Sequence, residues 1–441
     1  MLEMYLLRSS RRKTEMRGKA LINELPVEIV LQIFETVAAR PKNTLDTHAA
    51  PWTLAQVCSA WRKSALGLST LWSTIILEAQ HTAGTRPAAI LKEYLRRSGG
   101  HPLFIGVKST AHVDNDSFVA LLDILIRQSR RWKVIEISAG ISTLESIPHK
   151  LALPILEEFC IKSNTHAVTD ETMFMHTDVA RTFLRAPTLR MIDYRDGALT
   201  PAPGQTSSAT HLGCRLPTLT QIVHLETYPS ITELHLFCAD TMGDVDPVVL
   251  PCLERLSVLE SHTLRALICP SLSTLAVRQR ADDSPQDISQ FLTQSRCSLR
   301  VLSLLDGALL AQVDLSHTAL DRVARLALPV PASTLATAAR LCSLNILPNL
   351  RTITVFVSKE QFQHPEICDA VATLLEFRHA RAGLRRVRLY CTPIDQRRLM
   401  VAGLAELQND GLEVVMDTYN SVHDDWTWWK GPYWFPEVPD D

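Results

Sequence analysis

The side chains best able to do chemistry in this 441-residue chain are its 10 cysteines and 15 histidines. Zinc and redox chemistry need such residues in sets, as Cys-x-x-Cys pairs or as Cys and His at ligand spacing, so that several donors converge on one centre. Here the cysteines, from Cys58 to Cys391, fall singly, and so do the histidines. A lone histidine such as His224 or His235 in a predicted strand reads as a structural residue. There is no His-Glu-x-x-His, Gly-x-Ser-x-Gly, Walker loop or Rossmann glycine pattern. Gly99-Gly100-His101-Pro102 lacks the Lys-Ser/Thr ending that phosphate binding needs, and reads as a turn ahead of a strand over 103–107. No catalytic residue, metal ligand or cofactor is expected. Recognition by aromatic and cationic side chains is the chemistry that is left.

Aromatic residues crowd the end of the chain. Trp426, Trp428, Trp429, Tyr433, Trp434 and Phe435 lie between Asp424-Asp425 and Asp440-Asp441. A disordered tail would not normally carry so many. Residues 421–441 are therefore expected either to cap the preceding domain or to clamp a target.

The elements that position any binding residues repeat. The unit is an apolar residue, a second three positions on and a third two further, often introduced by proline. It occurs at Leu156, Phe159, Ile161; Leu189, Ile192, Tyr194; Ile231, Leu234, Leu236; Leu253, Leu256, Val258; and Leu272, Leu275, Val277. It continues at Leu299, Leu302, Leu304; Val323, Leu326, Leu328; Leu350, Ile353, Val355; and Leu384, Val387, Leu389. Trp132, Ile135, Ile137 is an early copy, and Leu412 with Val415 a worn late one. On a strand the last two residues face the same side, and the first packs below them from the incoming turn. One unit cannot bury its apolar face alone, but a stack can. Helical segments are predicted over Val119–Arg127 and Ile367–Arg378, and the stretches Thr200–Leu212 and Ala281–Asp287 read as loops.

This pattern resembles the leucine-rich repeat family, without the Asn that normally follows each strand. The resemblance implies an α/β fold over residues 81–420, an irregular solenoid with a parallel sheet on its concave side and helices outside; a general α/β domain is the alternative. In such a stack Lys162, Asp193, Arg195, His235, Phe237, Arg278, Thr354, Phe356, Arg388 and Tyr390 would line the concave face. Of these, Arg278, Phe356, Arg388 and Tyr390 are the expected target-binding residues, unless the C-terminal segment covers that face.

Residues 20–80 carry a different signal. Leu25, Ile29, Ile33 and Val37 recur every fourth residue, with Val30 and Phe34 beside them, which predicts an amphipathic helix. Pro26 suits its first turn and Asn23 its cap. Leu54, Val57, Cys58, Trp61, Ala65 and Leu68 predict a second helix. Two such helices cannot bury both stripes together with Trp61 and Trp72, so the module must lean on a partner or on the rest of the chain. In Leu25-Pro26-x-Glu28, Val57-Cys58-x-x-Trp61-Arg62 and Leu71-Trp72 the segment resembles an F-box of the fungal type. Its polar link from Ala38 to Trp52 is longer than the family's usual one. The resemblance implies that Leu25, Pro26, Ile29, Val57 and Cys58 dock on a Skp-type adaptor, while Trp61 and Trp72 fill the core. An internally packed helical hairpin is the other reading.

The formal net charge of −2 gives no basic excess for nucleic acid. No apolar stretch is long enough to span a bilayer. Unpaired cysteines fit the cytoplasm or nucleus, and residues 1–19 read as a disordered basic leader. Together these resemblances imply a substrate-recruiting F-box subunit of an SCF-type cullin–RING ubiquitin ligase, joined through the adaptor to a cullin and holding a target protein on its repeats. The alternative is a scaffold that binds the adaptor without promoting ubiquitination.

Overall fold

The structure, a computed structural model, describes residues 25–38, 43–78, 86–109, 116–139, 143–163, 182–194, 207–238, 245–277, 286–304, 313–329, 341–356, 365–391 and 403–418, less 145, 149, 217, 344 and 345. The basic leader, the Trp-rich segment 421–441, Arg195 and Arg278 lie outside them. The fold is mixed α/β and its strands pair in parallel. The chain divides into two compact units, Met1–Val168 with Arg185–Leu189, and Thr169–Leu184 with Arg190–Asp441.

In the first unit, helices α1 (Val27–Ala38) and α2 (Ser59–Gly67) precede β1 (Thr74–Glu78). Then follow α3 (Pro87–Arg97), β2 (Leu103–Lys108), α4 (Asp116–Ile126), β3 (Trp132–Ala139) and β4 (Glu158–Ser163). Each strand pairs with the next in parallel. Arginine bonds tie the connections down. Arg131 donates from Nε to the His101 carbonyl (3.0 Å) and from Nη2 to Ser98 Oγ (2.7 Å).

The second unit holds β5 (Met191–Tyr194), β6 (His211–Leu216), β7 (Glu233–Cys238), β8 (Val248–Val249), β9 (Arg255–Val258), β10 (Leu267–Ile268) and β11 (Thr274–Val277). It continues with α5 (Gln286–Ser295), β12 (Val301–Leu304), β13 (Arg325–Pro329), β14 (Thr352–Phe356), α6 (Pro365–Ala382), β15 (Arg386–Cys391) and β16 (Glu413–Thr418). Its main sheet runs β5-β6-β7-β9-β11-β12-β13-β14-β15-β16, and β8 pairs separately with β10.

The repeat pattern accounts for this sheet. The paired inward residues Leu234 and Leu236, Leu256 and Val258, Leu275 and Val277, Leu302 and Leu304, Ile353 and Val355 are all buried, as are the entry residues Ile231, Leu253, Leu272, Leu299 and Leu350. Each such side chain contributes about 1.5–3 kcal/mol on leaving water. The prolines act one step earlier. In Tyr228-Pro229-Ser230-Ile231, Leu250-Pro251-Cys252-Leu253, Cys269-Pro270-Ser271-Leu272 and Leu347-Pro348-Asn349-Leu350 the last amide donates to the first carbonyl at 3.2–3.3 Å. Proline in second place presets the φ such a turn requires.

Two successive amides after each turn then donate to a single carbonyl of the preceding coil. Thr232 and Glu233 share the Thr210 carbonyl, Glu254 and Arg255 share that of Thr232, and Ser273 and Thr274 share that of Glu254. The column runs on through Ser273, Arg300, Ala324 and Arg351, with every bond at 2.7–3.1 Å. Hydroxyls reinforce it: Thr232 Oγ1 donates to the Thr210 carbonyl (3.1 Å) and Ser273 Oγ to that of Glu254 (3.1 Å). Where the leucine-rich pattern would place an Asn after the strand, this chain ties its coils together before it.

Several expectations need correction, among them the second helix, which starts only at Ser59, and the loop over Ala281–Asp287, whose last two residues open α5. Residues 200–212 are not wholly a loop, because β6 begins at His211 and is entered through Ala209, Leu212 and Cys214, a copy of the repeat disguised by small residues. Trp72, Ile75 and Leu77 form another copy, buried at the start of the first sheet. In β16 the register places Val414 and Met416 opposite the inward Val387 and Leu389, so Val415 faces the other way. Helix α6 covers the predicted segment Ile367–Arg378, and α4 covers Val119–Arg127 up to Ile126. Among the described residues no helix is long and apolar enough to cross a membrane.

Arg378 of α6 is fully buried and donates to the carbonyls of Leu341, Ser343, Ile346 and Leu347. Replacing it should strand those acceptors. Arg378→Ala is expected to cost about 3 kcal/mol or more. Arg378→Lys should recover less than half of that, since one ammonium cannot reproduce the planar fork. Urea denaturation of the three proteins measures both differences.

Candidate functional sites

The first site is an apolar surface on α1 and the approach to α2. The Pro26 carbonyl accepts the first helical bonds, from Ile29 and Val30. From there α1 carries two apolar stripes. Val30, Phe34 and Ala38 face inward and are buried, whereas Ile29, Ile33 and Val37 are exposed, along with Leu25 and Val27 before them. The every-fourth-residue periodicity of Leu25, Ile29, Ile33 and Val37 therefore marks the outer stripe. Val57, at 61 % exposure, and Leu66 of α2 are exposed as well.

The interior beneath is aromatic. Phe34 meets Trp61 edge-on, with ring centroids 4.9 Å apart. Trp72 is buried, donates from Nε1 to the Ala65 carbonyl (2.8 Å) and packs against Trp52 and Tyr94. The Arg97 guanidinium lies 4.5 Å from the Trp52 ring and 4.4 Å from the Trp72 ring, and its Nε donates to Glu93 (2.8 Å). Hydrogen bonds from Arg96 hold the Glu93 carboxyl down at about 2, despite the opposing effect of burial. Cys58 is exposed, and its Sγ accepts from the Trp61 amide at the start of α2, so the thiol serves as a cap. The long link is anchored as well. Thr44 donates its amide to the Ile76 carbonyl and receives the Ile76 amide on Oγ1, both at 2.8 Å, so it lies along the edge of β1.

The second site is the face of the second unit's sheet that lies opposite the leucines. In register across the strands run Asp193, Gly213, His235, Ser257, Ala276, Ser303, Ala327, Thr354 and Arg388. Most are small, and they sit low between two rows of longer side chains. A Cβ at Gly213 would meet Asp193 Oδ1 at 2.7 Å, so that carboxylate would have to shift. In the row on one side, Glu233 gathers nitrogen donors: His235 Nε2 donates to it at 3.0 Å, Arg255 Nη1 donates at 3.3 Å, and His211 Nε2 stands 3.6 Å away. On the other side Arg215 lies 4.6 Å over the Phe237 ring, and further along Phe356 stacks on Tyr390, centroids 5.1 Å apart.

Of the expected target-binding residues, Phe356 is the buried member of that stack, while Arg388 and Tyr390 are half-exposed. Asp193, His235 and Thr354 are buried in the floor. Lys162 belongs to β4 of the first unit. Sequence reasoning missed Arg215, Glu233, Arg255 and Ser303. Admitting Ala and Cys to the repeat at Ala209, Leu212 and Cys214 would have exposed β6 and with it Arg215. The buried cysteines behave as packing residues, and burial raises the Cys214 thiol to about 12.

Burial pushes the Glu233 carboxyl up, but the His235 hydrogen bond and the charges of His235, His211 and Arg255 outweigh it and hold the group below its ordinary value. Its stabilising contribution is therefore present above the ordinary carboxylate range and lost as pH falls through it. Glu233→Gln should melt lower than the parent at pH 7, with the gap closing towards pH 3. Paired melting curves across that range test it; a gap constant with pH would show that the charge is immaterial.

No known protein-family model matches this chain, and no curated protein matches it either.

Proposed function

We propose that the chain is a substrate-recruiting F-box subunit of an SCF-type ubiquitin ligase, with α1 and the approach to α2 docking on a Skp-type adaptor and the sheet of the second unit holding the target protein. One observation carries this reading. Of the 11 large apolar side chains that are exposed among the described residues, seven (Leu25, Val27, Ile29, Ile33, Val37, Val57 and Leu66) fall in the first short helical segment. Scattered exposed leucines need no explanation, but a concentration of this kind marks a surface awaiting a partner. The expected docking residues Leu25, Pro26, Ile29, Val57 and Cys58 are all exposed. Internal packing uses the inner stripe, where Phe34 meets Trp61, and leaves the outer stripe for a partner.

The two stripes of α1 separate docking from stability. The double variant Ile29→Asp, Val57→Asp should abolish co-purification with a Skp-type adaptor while shifting stability by no more than about 0.5 kcal/mol, because both sites are exposed. Phe34→Ala, on the inner stripe, should cost about 3–5 kcal/mol. An intact, folded chain that captures no adaptor would sink the reading. Ubiquitination of a bound partner that requires the outer stripe would distinguish a recruiting subunit from a scaffold.

A further inference from the structure

We propose that the sheet face of the second unit reads an anionic side chain on an extended target polypeptide, and that Arg215 makes the contact that recognises the charge. This rests on the reading that this face holds the target, and it names what the target must present.

Arg215 stands apart from its neighbours. Arg255 is neutralised by Glu233 and Arg386 by Glu413, the latter at 2.6 Å. Arg215 has no hydrogen bond or ion pair among the described residues; its Nε is buried without an acceptor, and its guanidinium lies over the Phe237 ring. Stacking fixes the plane of the fork and leaves its donating edge unspent. The two Nη groups are not among the buried unpartnered atoms and make no bond among the described residues, so they can give two parallel bonds to a carboxylate or phosphate. A basic ligand finds no such vacancy, because Glu233 is already engaged by His235 and Arg255.

The floor supplies a second, independent indication. Ser303 and Thr354 are both about 99 % buried, and among the described residues the hydroxyl of each has no partner. Strand alternation turns them onto the same face as Gly213, Ser257, Ala276 and Ala327, where small side chains permit close approach of a backbone. Hydroxyls can donate to peptide carbonyls or accept from peptide amides. Four strand steps separate β6 from β12, about 19 Å at the usual spacing. An extended chain covers that with roughly six residues. The anionic residue should thus lie about six positions from the segment over Ser303.

The test uses the full chain alone, without adaptor. Fluorescein-labelled pools of degenerate peptides about twelve residues long carry one fixed position, either Gln, Glu or phosphoserine. Anisotropy should show the Glu or phosphoserine pool bound at least about tenfold more tightly than the Gln pool. The preference should shrink as salt rises. Arg215→Gln should erase it at unchanged melting temperature, Arg215→Lys should restore only part, and Arg322→Gln, at an exposed arginine elsewhere, should keep it. A preference for phosphoserine assigns the anion as phosphate; equal binding of the two anionic pools assigns a carboxylate. If all pools bind alike, or the preference survives Arg215→Gln, the inference is overturned. A chain that captures the adaptor yet shows no anionic preference refutes this inference alone, whereas anionic preference without adaptor capture refutes the proposed function instead.

Discussion

One carbonyl accepting two amides is the contact on which the second unit depends. The shared bonds at Thr210, Thr232, Glu254 and Ser273, and those that follow, fix each strand's start against its predecessor. Once a start is fixed, alternation decides which side chains enter the core and which form the opposite face. A slip of one residue would move the leucines outward and bring the polar rows inward. The proline turns make the column reproducible, because each delivers its strand at the same angle from a preset φ. Sheet order, the leucine core and the small-residue floor are all consequences of that entry geometry.

What was legible in the sequence follows from the same cause. The spacing of three and then two is a direct image of the entry turn and the strand, so copies such as Leu253, Leu256, Val258 could be placed to the residue. Ala209, Leu212, Cys214 obeyed the same geometry with side chains too small to register as a pattern. Val415 was misread because Leu412 and Val415 alone do not fix the frame, whereas the pairing of Val414 with Val387 does. The opposite face was least legible. Its members come from strands far apart in sequence, and whether an arginine there is neutralised depends on a cross-strand neighbour that no local spacing reveals.

At the other end of the chain, one helix serves two solvents. The inner stripe of α1 meets Trp61, while the outer stripe keeps its apolar side chains in water. Sequence periodicity drew a single apolar stripe where the structure has two, because the two sets are both apolar and one position apart. The aromatic ring stack around Arg97 and the Thr44 edge contact explain how so short a helical segment is held: it is braced by α3 and β1 as well as by its own small core. A segment braced from behind can keep its outer surface unburied without losing its shape.

The entry column also bears on how such a chain can change over evolutionary time. It constrains the residues just before each strand and makes no demand on the length of chain between one entry and the next. Those intervals run from roughly 19 to 34 residues here, within or near the range of repeat architectures, and the longest accommodates α6 without disturbing the pairing of β14 with β15. Insertions between coils are therefore absorbed as length, whereas a single insertion between an entry turn and its strand would shift every side chain of that strand to the wrong face. Variation among descendants of this chain should accumulate in the intervals, with the turns that carry Pro229, Pro251, Pro270 and Pro348 holding their distance to the strand.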